Sequence, residues 1–456
     1  MSTAMTQPRT VSKSAHAQLV RAAAIGNFIE FFDFTLYGFF AVVISKQFFP
    51  AIDHTAALLS TFAIYGGAFV MRPVGAIVFG HVGDRIGRKT AMMVSVVLMT
   101  VATAAIGLLP TYAVIGVFAP LLLGICRLVQ AVSAGGEQTG SYILVMEQSP
   151  VHERGRHGIK LLTYIMFGVG GGALVALGVT SLTTPAQLHD WGWRLPFLFV
   201  APLGLVGLYM RLRLQDSEAF RAASQELARL ERKPIPLFQA FRTAKKQMAV
   251  LFCWASLIAL AGYILIGFMT TYMIEFQHFS ISESLVVFGV GLMAAIPVVN
   301  QIGKWSDRVP RKTFALVMTL ALLLWIFPAF ILTQYGVFTA IIAIAVFAVI
   351  LYPMNLVAGF AIIELFPVDI RASASGLPFQ IGFAVFGGSA PFIATWLASS
   401  YSAIAPAYYV AGFAILILLV ALRGLPTARA METISVSVPE PPERAVVSAA
   451  EAPERP

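Results

Sequence analysis

Long apolar runs constrain this chain more than any other feature. Twelve of them approach or exceed the roughly 20 residues that a helix needs to cross a bilayer. Of the 456 residues, 58% are hydrophobic and only 12% are charged, which is about half the charged share of an ordinary soluble domain. These charged side chains are too few to cover the surface of a water-soluble globule of this size. The sequence therefore predicts an all-α membrane protein. The predicted spans are 20–44, 56–79, 91–109, 113–146, 158–182, 195–212, 248–274, 284–303, 313–333, 337–363, 373–398 and 405–423.

Basic residues lie mainly in the links on one side of these spans. An even number of spans puts both termini on that same side, together with the longest link, which is rich in Lys and Arg. The links on the opposite side hold few basic residues, and the exceptions are Lys46 and Arg194. Because cytoplasmic loops carry an excess of Lys and Arg, we expect a multi-pass inner (plasma) membrane protein with both termini in the cytoplasm. The basic residues of the cytoplasmic links then account for the net charge of +9. No nucleic-acid partner is therefore expected.

Two motifs each occur twice, once in each half of the chain. Residues 80–90 and 303–313 both read G-x-x-x-D-R-x-[GP]-R-K-T, and residues 147–154 and 364–371 both read E-x-x-P-x-x-x-R. Salt bridges among their charges would close one face of the protein and break as it opens. Exposed pairs contribute only about 0–1 kcal/mol each, so such a latch needs partly buried partners. The predicted members of the latch are Gly80, Asp84, Arg85, Arg88, Lys89, Glu147, Arg154, Asp307, Arg308, Glu364 and Arg371.

The repeated motifs indicate two duplicated six-helix bundles. Parallel repeats of this kind are related by an axis along the membrane normal, and their ligand site lies between them near the midplane. The tail after the last span is rich in Pro, Glu, Ala and Ser, a composition typical of disorder. The predicted divisions are a cytoplasmic tail (1–19), an N-terminal bundle (20–212), a cytoplasmic linker (213–247), a C-terminal bundle (248–423) and a disordered cytoplasmic tail (424–456).

Five charged residues fall deep inside predicted spans of the first half, away from the first and last residues of those spans: Glu30, Asp33, Arg72, Arg127 and Glu137. Each costs at least roughly 2.5–3.5 kcal/mol to insert into a membrane, so a reason for their presence is expected. Glu30 and Asp33 share one helix face. Close together and poorly hydrated, they should favour one shared proton. We predict that at least one of them couples protons to transport; the alternative is that each forms a structural ion pair.

The arginine of the fourth span has two open interpretations. Arg127 is always charged and carries a planar fork of donors, so it suits a substrate carboxylate. Equally, it could form a permanent ion pair with Glu137, Glu30 or Asp33. Glu137 lies about 15 Å further along a helix and is predicted to be a proton relay or a partner for a substrate ammonium group. Arg72 is expected to anchor helices. The neutral candidates for substrate binding are Gln130, Tyr37, Tyr142, Asn355 and Gln380. For Tyr142, Asn355 and Gln380 the alternative role is a helix–helix hydrogen bond, and for the Tyr37 ring it is a position facing lipid or the core.

Signatures of enzymes and metal sites are missing from the sequence. There is no Walker A motif, no zinc-spaced set of His and Cys, and no serine nucleophile elbow. The two cysteines, Cys126 and Cys253, lie in apolar runs and suit buried hydrophobic positions. We therefore expect no enzymatic activity, no cofactor and no metal, with an ion gradient as the source of energy.

Several segments resemble known transporters. The chain resembles the major facilitator superfamily and, more narrowly, its metabolite:proton symporters. The segments that carry this resemblance are 26–34, 71–75, 80–89, 127–137 and 191–197. Those most similar to the osmoprotectant transporters for proline and betaine are 138–150, 202–204 and 406–409.

The resemblance implies a fold, a function and a set of partners. The fold is twelve transmembrane helices in two pseudo-symmetric bundles, with the loop at 80–89 acting as a conformational latch. The function is proton-coupled symport that imports a small organic acid or zwitterion (a dicarboxylate or tricarboxylate, or betaine or proline) by alternating access. The alternatives are a proton-driven antiporter that exports a metabolite or drug, and a non-transporting membrane sensor. The expected partners are the substrate, protons and the lipid bilayer, with the protein working as a monomer.

Overall fold

The computed structural model describes residues 13–50, 52–86, 88–135, 141–143, 145–146, 149–214, 244–366 and 371–424. Within these ranges, the side chains of residues 13–19, 21–23, 76, 80–92, 210–211, 213–214, 372–373 and 420–424 are not described. Every regular element in the described ranges is a helix. This is the arrangement that lipid demands, because a helix satisfies its own backbone hydrogen bonds where no water is present.

Twelve apolar helical segments follow one another along the described chain: seven long helices, two bent pairs and three shorter helices. They confirm the predicted all-α membrane fold. We label them α1 (Lys13–Phe39 and Ala41–Phe48), α2 (His54–Gly67, Ala68–Val70 and Met71–Ile86), α3 (Arg88–Leu108), α4 (Phe118–Ala134), α5 (Arg154–Leu182), α6 (Arg194–Leu214), α7 (Lys245–Tyr263, Ile264–Phe268 and Met269–Glu275), α8 (Ile281–Trp305), α9 (Arg311–Ile331), α10 (Val337–Glu364), α11 (Arg371–Gly382, Phe383–Gly387 and Gly388–Ser400) and α12 (Ala405–Gly424). Shorter helical turns stand at Tyr112–Ile115, Val151–Glu153, Pro185–Gln187, Leu188–Gly192 and Leu332–Tyr335.

The first segment differs from the single run predicted at 20–44. Its helix begins at Lys13, and it bends by 61° between its two parts. Phe40 leaves helical geometry at the bend, with φ −101° and ψ 12°. The apolar pattern could not reveal this bend because the residues on both sides of it are apolar as well.

Side-chain caps fix where two equivalent helices begin. The Asp53 carboxylate accepts hydrogen bonds from the backbone N–H groups of Thr55 and Ala56 at the start of α2, at 3.0 and 3.2 Å. At the start of α8, Ser280 and Glu283 form a reciprocal capping box. Such caps satisfy N–H groups that have no partner within the helix. Since α2 and α8 are second in their halves, the repeat extends to how these helices start.

The two halves pack through exchanged pairs of helices. From the first half, α5 lies along α8 and α2 packs against α11. Because α2 corresponds to α8 and α5 to α11, this exchange is what a parallel repeat predicts. The contact between α2 and α11 is backbone to backbone, since a side chain at Gly66 would collide with the carbonyl of Gly388. Small residues allow membrane helices to approach this closely.

Regular α-helix is interrupted at three places along the interface between the halves. A 3-10 turn occupies Ala68–Val70 in α2, and π-helical turns occupy Ile264–Phe268 in α7 and Phe383–Gly387 in α11. The turn in α2 contacts the turn in α11, and the turn in α7 contacts the last part of α11. Since π turns inside α-helices are frequent at functional sites, these interruptions point to the region where the site is built.

Candidate functional site

Four charged side chains are buried in one cluster of the first half. Glu30 and Asp33 on α1, Arg72 on α2 and Arg127 on α4 are each only 1% exposed. The carboxylates, although on one helix face, bond to different partners. Glu30 faces α2, whereas Asp33 faces α3 and α4. The cluster therefore contains two partnerships, and a proton shared between the two carboxylates stays a prediction.

The first partnership is an ion pair between α1 and α2. An Arg72 Nη2 donates to Glu30 Oε1 at 3.3 Å, and both side chains are fully buried. Arg72 follows the 3-10 turn at Ala68–Val70 almost directly, so this break in α2 positions it. Charges buried this deeply are found in pairs because an isolated charge is costly to desolvate. This contact agrees with the anchoring role expected for Arg72.

The second partnership links Arg127 to Asp33 through the neutral side-chain amide of Gln130. The Gln130 Nε2 lies 3.1 and 3.0 Å from the two carboxylate oxygens of Asp33, and 2.7 Å from Thr103 Oγ1. Arg127 Nη1 donates to Gln130 Oε1 at 2.8 Å. Within the part of the chain that the structure describes, no carboxylate oxygen lies within ion-pair distance of Arg127. The arginine and Asp33 are thus linked through one amide and not directly.

Aromatic rings surround the Arg127 guanidinium. Its central carbon lies 4.6 Å from the ring centroids of Phe34 and Tyr37 and 4.8 Å from that of Tyr65, distances at which a cation is attracted to a ring face. The Tyr37 hydroxyl donates to the carbonyl of Thr61 at 3.0 Å, which fixes its ring. Nε and Nη2 of Arg127 have no partner among the described residues. Buried donors are normally satisfied, so these two are an exception within the described cluster.

Phe34 holds the two arginines of the cluster near each other. The Arg72 guanidinium carbon lies 4.8 Å from the Phe34 centroid and 4.5 Å from that of Phe69, while Arg127 contacts the same Phe34 ring. Tyr263, from α7 of the second half, packs edge to face on Phe69 at 4.8 Å. The side of the charged cluster that faces the second half is therefore lined by aromatic rings, one of which, Tyr263, belongs to the second half.

A small cavity lies beside this aromatic wall, between the two halves. Residues of α1 and α5 line it from one half, and residues of α7, α10 and α11 line it from the other. The full set is Phe31, Leu162, Ile165, Ile258, Ala259, Gly262, Tyr263, Ile266, Leu351, Tyr352, Asn355 and Phe383. Its position between the bundles agrees with the location predicted from the repeat.

Asn355 is the only predicted substrate residue that lines this cavity in the described structure. Gln380 is buried and donates through Nε2 to the carbonyl of Gly135 at 2.8 Å, so it joins the two halves. Tyr142 is buried near Phe379, and its hydroxyl has no partner among the described residues. The others, Arg127, Gln130 and Tyr37, belong to the charged cluster. The sequence thus identified polar residues of two regions that the structure separates.

Ion pairs join the halves on the side of the membrane where the chain termini lie. Glu364, on α10, lies 3.4 Å from Arg154 of α5 and 3.4 Å from Arg311 of α9. Arg154 and Glu364 come from the two copies of the E-x-x-P-x-x-x-R motif, so the copies pair across the interface. All three side chains are less than a quarter exposed, which is the partial burial that a latch requires.

A helix cap across the interface strengthens the same contact. The Asp307 carboxylate accepts hydrogen bonds from the backbone N–H groups of Gly155 and Arg156, at 2.7 and 2.8 Å. These N–H groups form the start of α5, where the helix dipole also favours a negative charge. The aspartate of the second-half motif therefore caps a helix of the first half. This explains why the motif needs an acid at that position.

On the opposite side of the membrane the halves also touch. His54 Nε2 at the start of α2 lies 2.7 Å from Glu275 Oε2 at the end of α7. Ser282 of α8 donates to Thr180 of α5 at 3.3 Å. The described halves therefore contact each other on both sides of the membrane.

Some residues of these networks were missed in the sequence. Arg311 was absent from the predicted latch, although it matches Arg88 in the repeated motif, so the signal for it existed. Thr103, Tyr263 and Phe383 carry no comparable signal. A hydroxyl or ring inside an apolar run is usually satisfied within its own helix or by packing, and only the tertiary structure reveals another role.

Several predicted residues remain untested by the geometry. Glu137 and Glu147 lie outside the described residues, and so do the side chains of Gly80, Asp84, Arg85, Arg88 and Lys89. Arg308 is exposed. Arg371 is buried and donates from Nε to the carbonyl of Phe366 at 3.2 Å. The geometry of the latch is therefore known for its second-half motif and for Arg154.

Comparison with known proteins gives the family. A model described as Major Facilitator Superfamily matches residues 23–377. The chain is 34% identical over 424 residues to the Proline/betaine transporter of Escherichia coli (strain K12), covering 91% of this chain and 83% of that protein. It is 33% identical over 414 residues to the Glycine betaine/proline/ectoine/pipecolic acid transporter OusA of Dickeya dadantii (strain 3937), covering 88% and 82%.

A solved structure has the same fold. The xylose transporter XylE from E. coli, in a partially occluded inward-open conformation, aligns with a TM-score of 0.67 at 16% identity, over 91% of this chain and 99% of XylE. Together with the family match and the similarity to proline and betaine transporters, this confirms the predicted resemblance to the major facilitator superfamily and its osmoprotectant transporters. The twelve helices in two repeated halves and the match over most of the sequence lead to one assignment: the chain belongs to the Major Facilitator Superfamily of membrane transporters.

Proposed function

We propose that this protein is a proton-coupled symporter of the inner membrane that imports a small zwitterion of the betaine or proline type, working as a monomer. The names of its relatives support the substrate class. The basic links support an orientation with both termini in the cytoplasm. The side that carries Arg154, Asp307 and Glu364 is then the cytoplasmic side.

The contact between Asp33 and Gln130 carries the proposal. A carboxylate that is held by a neutral amide can gain a proton without breaking an ion pair, whereas Glu30 would have to leave Arg72. Burial away from water favours the neutral form of an acid. Asp33 is therefore our choice for proton coupling, with Glu30 as a structural partner. Glu137 remains a proposed relay.

Substrate binding is proposed to be linked to this proton through Arg127. Two of its N–H-bearing nitrogens are unpartnered among the described residues, and a guanidinium fork suits a carboxylate. The amide of Gln130 contacts both Arg127 and Asp33. Protonation of Asp33 would loosen its hold on Gln130, which lets Arg127 turn toward the substrate carboxylate. Loading of the proton and of the substrate thus favour each other.

Transport across the membrane is proposed to follow from alternate breaking of the two end contacts. Outward opening breaks the contact between His54 and Glu275. Inward opening breaks the contacts of Glu364 with Arg154 and Arg311, and the cap that Asp307 places on α5. A loaded transporter can rock between these states, and release in the cytoplasm resets it.

Proteoliposomes that contain the purified protein test this function. With acid outside, one pH unit should drive roughly tenfold accumulation of betaine or proline if one proton moves with each substrate, because one unit corresponds to about 1.4 kcal/mol. A protonophore should abolish this accumulation, and a sodium gradient alone should not replace the proton gradient. Accumulation that ignores the pH gradient would contradict proton coupling, and proton-driven efflux of preloaded substrate would indicate an antiporter.

A further inference from the structure

The cavity between the halves is aromatic and uncharged. Four rings line it: Phe31, Tyr263, Tyr352 and Phe383. Among the described residues that line it, none carries a charge, and Asn355 contributes the only amide side chain. Phe31 lies between Glu30 and Asp33 in sequence, but the helix turns those acids toward α2, α3 and α4 and turns Phe31 toward the cavity.

Two of the rings form a corner of the cavity. The centroids of Tyr263 and Phe383 are 6.2 Å apart, and their planes are nearly perpendicular at 89°. Each ring stands at a π-helical turn, Tyr263 directly before one and Phe383 at the start of another. Gly387 seats Tyr263, because a Cβ there would come within 2.7 Å of the ring. The backbone irregularities thus hold this corner in place.

The uncharged lining of the cavity suits some kinds of cation better than others. An ammonium group with N–H donors needs acceptors, preferably charged ones, when it is buried. The described lining offers no carboxylate: its side-chain acceptors are two tyrosine hydroxyls and the Asn355 amide oxygen, while the Asn355 amide nitrogen donates to the Leu351 carbonyl. A quaternary ammonium has no N–H, needs no acceptor and is attracted to aromatic ring faces. The cavity therefore suits a methylated cation.

We propose that Phe31, Tyr263, Tyr352 and Phe383 form a subsite for the quaternary ammonium group of a methylated zwitterion, and that this subsite favours betaines over amino acids that carry N–H groups. The inference rests on the proposed function and adds its substrate preference. The arginine cluster lies on the other side of Tyr263, which packs on Phe69 at 4.8 Å.

A ligand pair of matched shape tests the subsite. Glycine betaine and 3,3-dimethylbutyrate have the same carboxylate and nearly the same volume, but the second has a neutral carbon in place of the nitrogen. Binding is measured by calorimetry on the full-length protein in detergent or nanodiscs. We expect betaine to bind on the order of tenfold more tightly than its neutral analogue, and more tightly than proline, because only betaine gains the attraction of several rings.

Substitutions of the aromatic residues that line the cavity test whether their rings cause the preference for betaine over its neutral analogue. Phe383→Leu and Tyr352→Leu should bring the ratio of the two affinities toward one, whereas Tyr352→Phe should preserve it because the ring is retained. Phe386→Leu is the matched control, since Phe386 belongs to the same π turn as Phe383 but does not line the cavity. A loss of ratio in Phe386→Leu, or equal weakening of both ligands in the cavity variants, would overturn the assignment.

The wild-type protein alone also decides the question. Equal affinity for betaine and 3,3-dimethylbutyrate would overturn the subsite even if every variant failed to fold. Proton-driven accumulation of proline without any binding of betaine would overturn the subsite and leave the proposed function intact. If neither zwitterion is bound or accumulated, the proposed function fails together with the inference.

Discussion

The two halves of the molecule share a fold and two motifs, but they bury different chemistry. The first half buries Glu30, Asp33, Arg72 and Arg127 near the middle of its helices. In the described part of the second half, the buried polar residues of the helix interiors are hydroxyls and amides, and the buried charge Arg371 stands at the start of α11. Both halves have the same order of helices and the same two sequence motifs, whereas the polar residues buried inside their described helices differ.

This difference indicates a division of labour. The first half carries the buried acids and the arginine that we propose for proton coupling and for binding a carboxylate. The second half supplies rings and hydroxyls to the cavity, through Tyr263, Tyr352 and Phe383. Since the carboxylates do not line the cavity, a proton on Asp33 can act on the substrate only through Gln130 and Arg127 or through the motion of the halves.

The largest expected difference concerns stability. Arg72→Met leaves the buried Glu30 carboxylate without its arginine and should destabilise the protein by about 3–5 kcal/mol. Adding Glu30→Gln should recover most of that loss, because the uncompensated charge is gone. The matched change in the second half, Gln380→Met, removes a neutral hydrogen bond to Gly135 and should cost about 1 kcal/mol. Denaturant unfolding in detergent measures both, and equal losses would contradict the contrast between the halves.

A second difference concerns substrate affinity. Arg127→Lys keeps the charge but loses the planar fork, so betaine should bind about tenfold to hundredfold more weakly, the range expected for hydrogen bonds to a charged group. Arg194→Lys is the control, since Arg194 donates to the backbone carbonyls of Gly107 and Leu109 and has no hydrogen bond to the charged cluster among the described contacts. Titration calorimetry on the two folded variants provides the comparison. Unchanged affinity in Arg127→Lys would remove the arginine from the substrate site.

The smallest expected effect concerns the latch, where the halves resemble each other most. Glu364→Gln weakens contacts to Arg154 and Arg311 that are only partly buried, so the shift toward inward opening should be about 1 kcal/mol, or roughly fivefold in population. Distances between spin labels on the termini side measure this shift. Glu275→Gln, at the other end, should shift the population in the opposite direction. A shift of both variants in one direction would disprove the two-ended scheme.

The sequence predicted the frame and the identity of the charged residues well. Membrane spans depend on local composition, so the apolar runs located the twelve segments. A buried charge inside a span is rare enough to stand out, which is why Glu30, Asp33 and Arg127 were found. The motif copies likewise identified Glu364 and Arg154 before their contact was known.

The residues that these buried side chains contact could not be predicted from the sequence in the same way. Glu30 and Asp33 are neighbours on one helix, yet α1 presents them to different helices, and this depends on how α2, α3 and α4 pack. The π turns that place Tyr263 and Phe383 beside the cavity leave no mark in an apolar run. Gln130 was expected to contact substrate, but its amide joins Arg127 to Asp33.

Proton movement in an Asp33→Asn variant tests the central claim most directly. A pH-sensitive dye inside proteoliposomes should report acidification when betaine is added outside the wild-type protein, and the same in Glu30→Gln if that variant folds. In Asp33→Asn, betaine should still exchange across the membrane while the dye signal disappears, because the asparagine cannot take up the proton. Acidification that persists in Asp33→Asn at the wild-type ratio of protons to betaine would contradict the account.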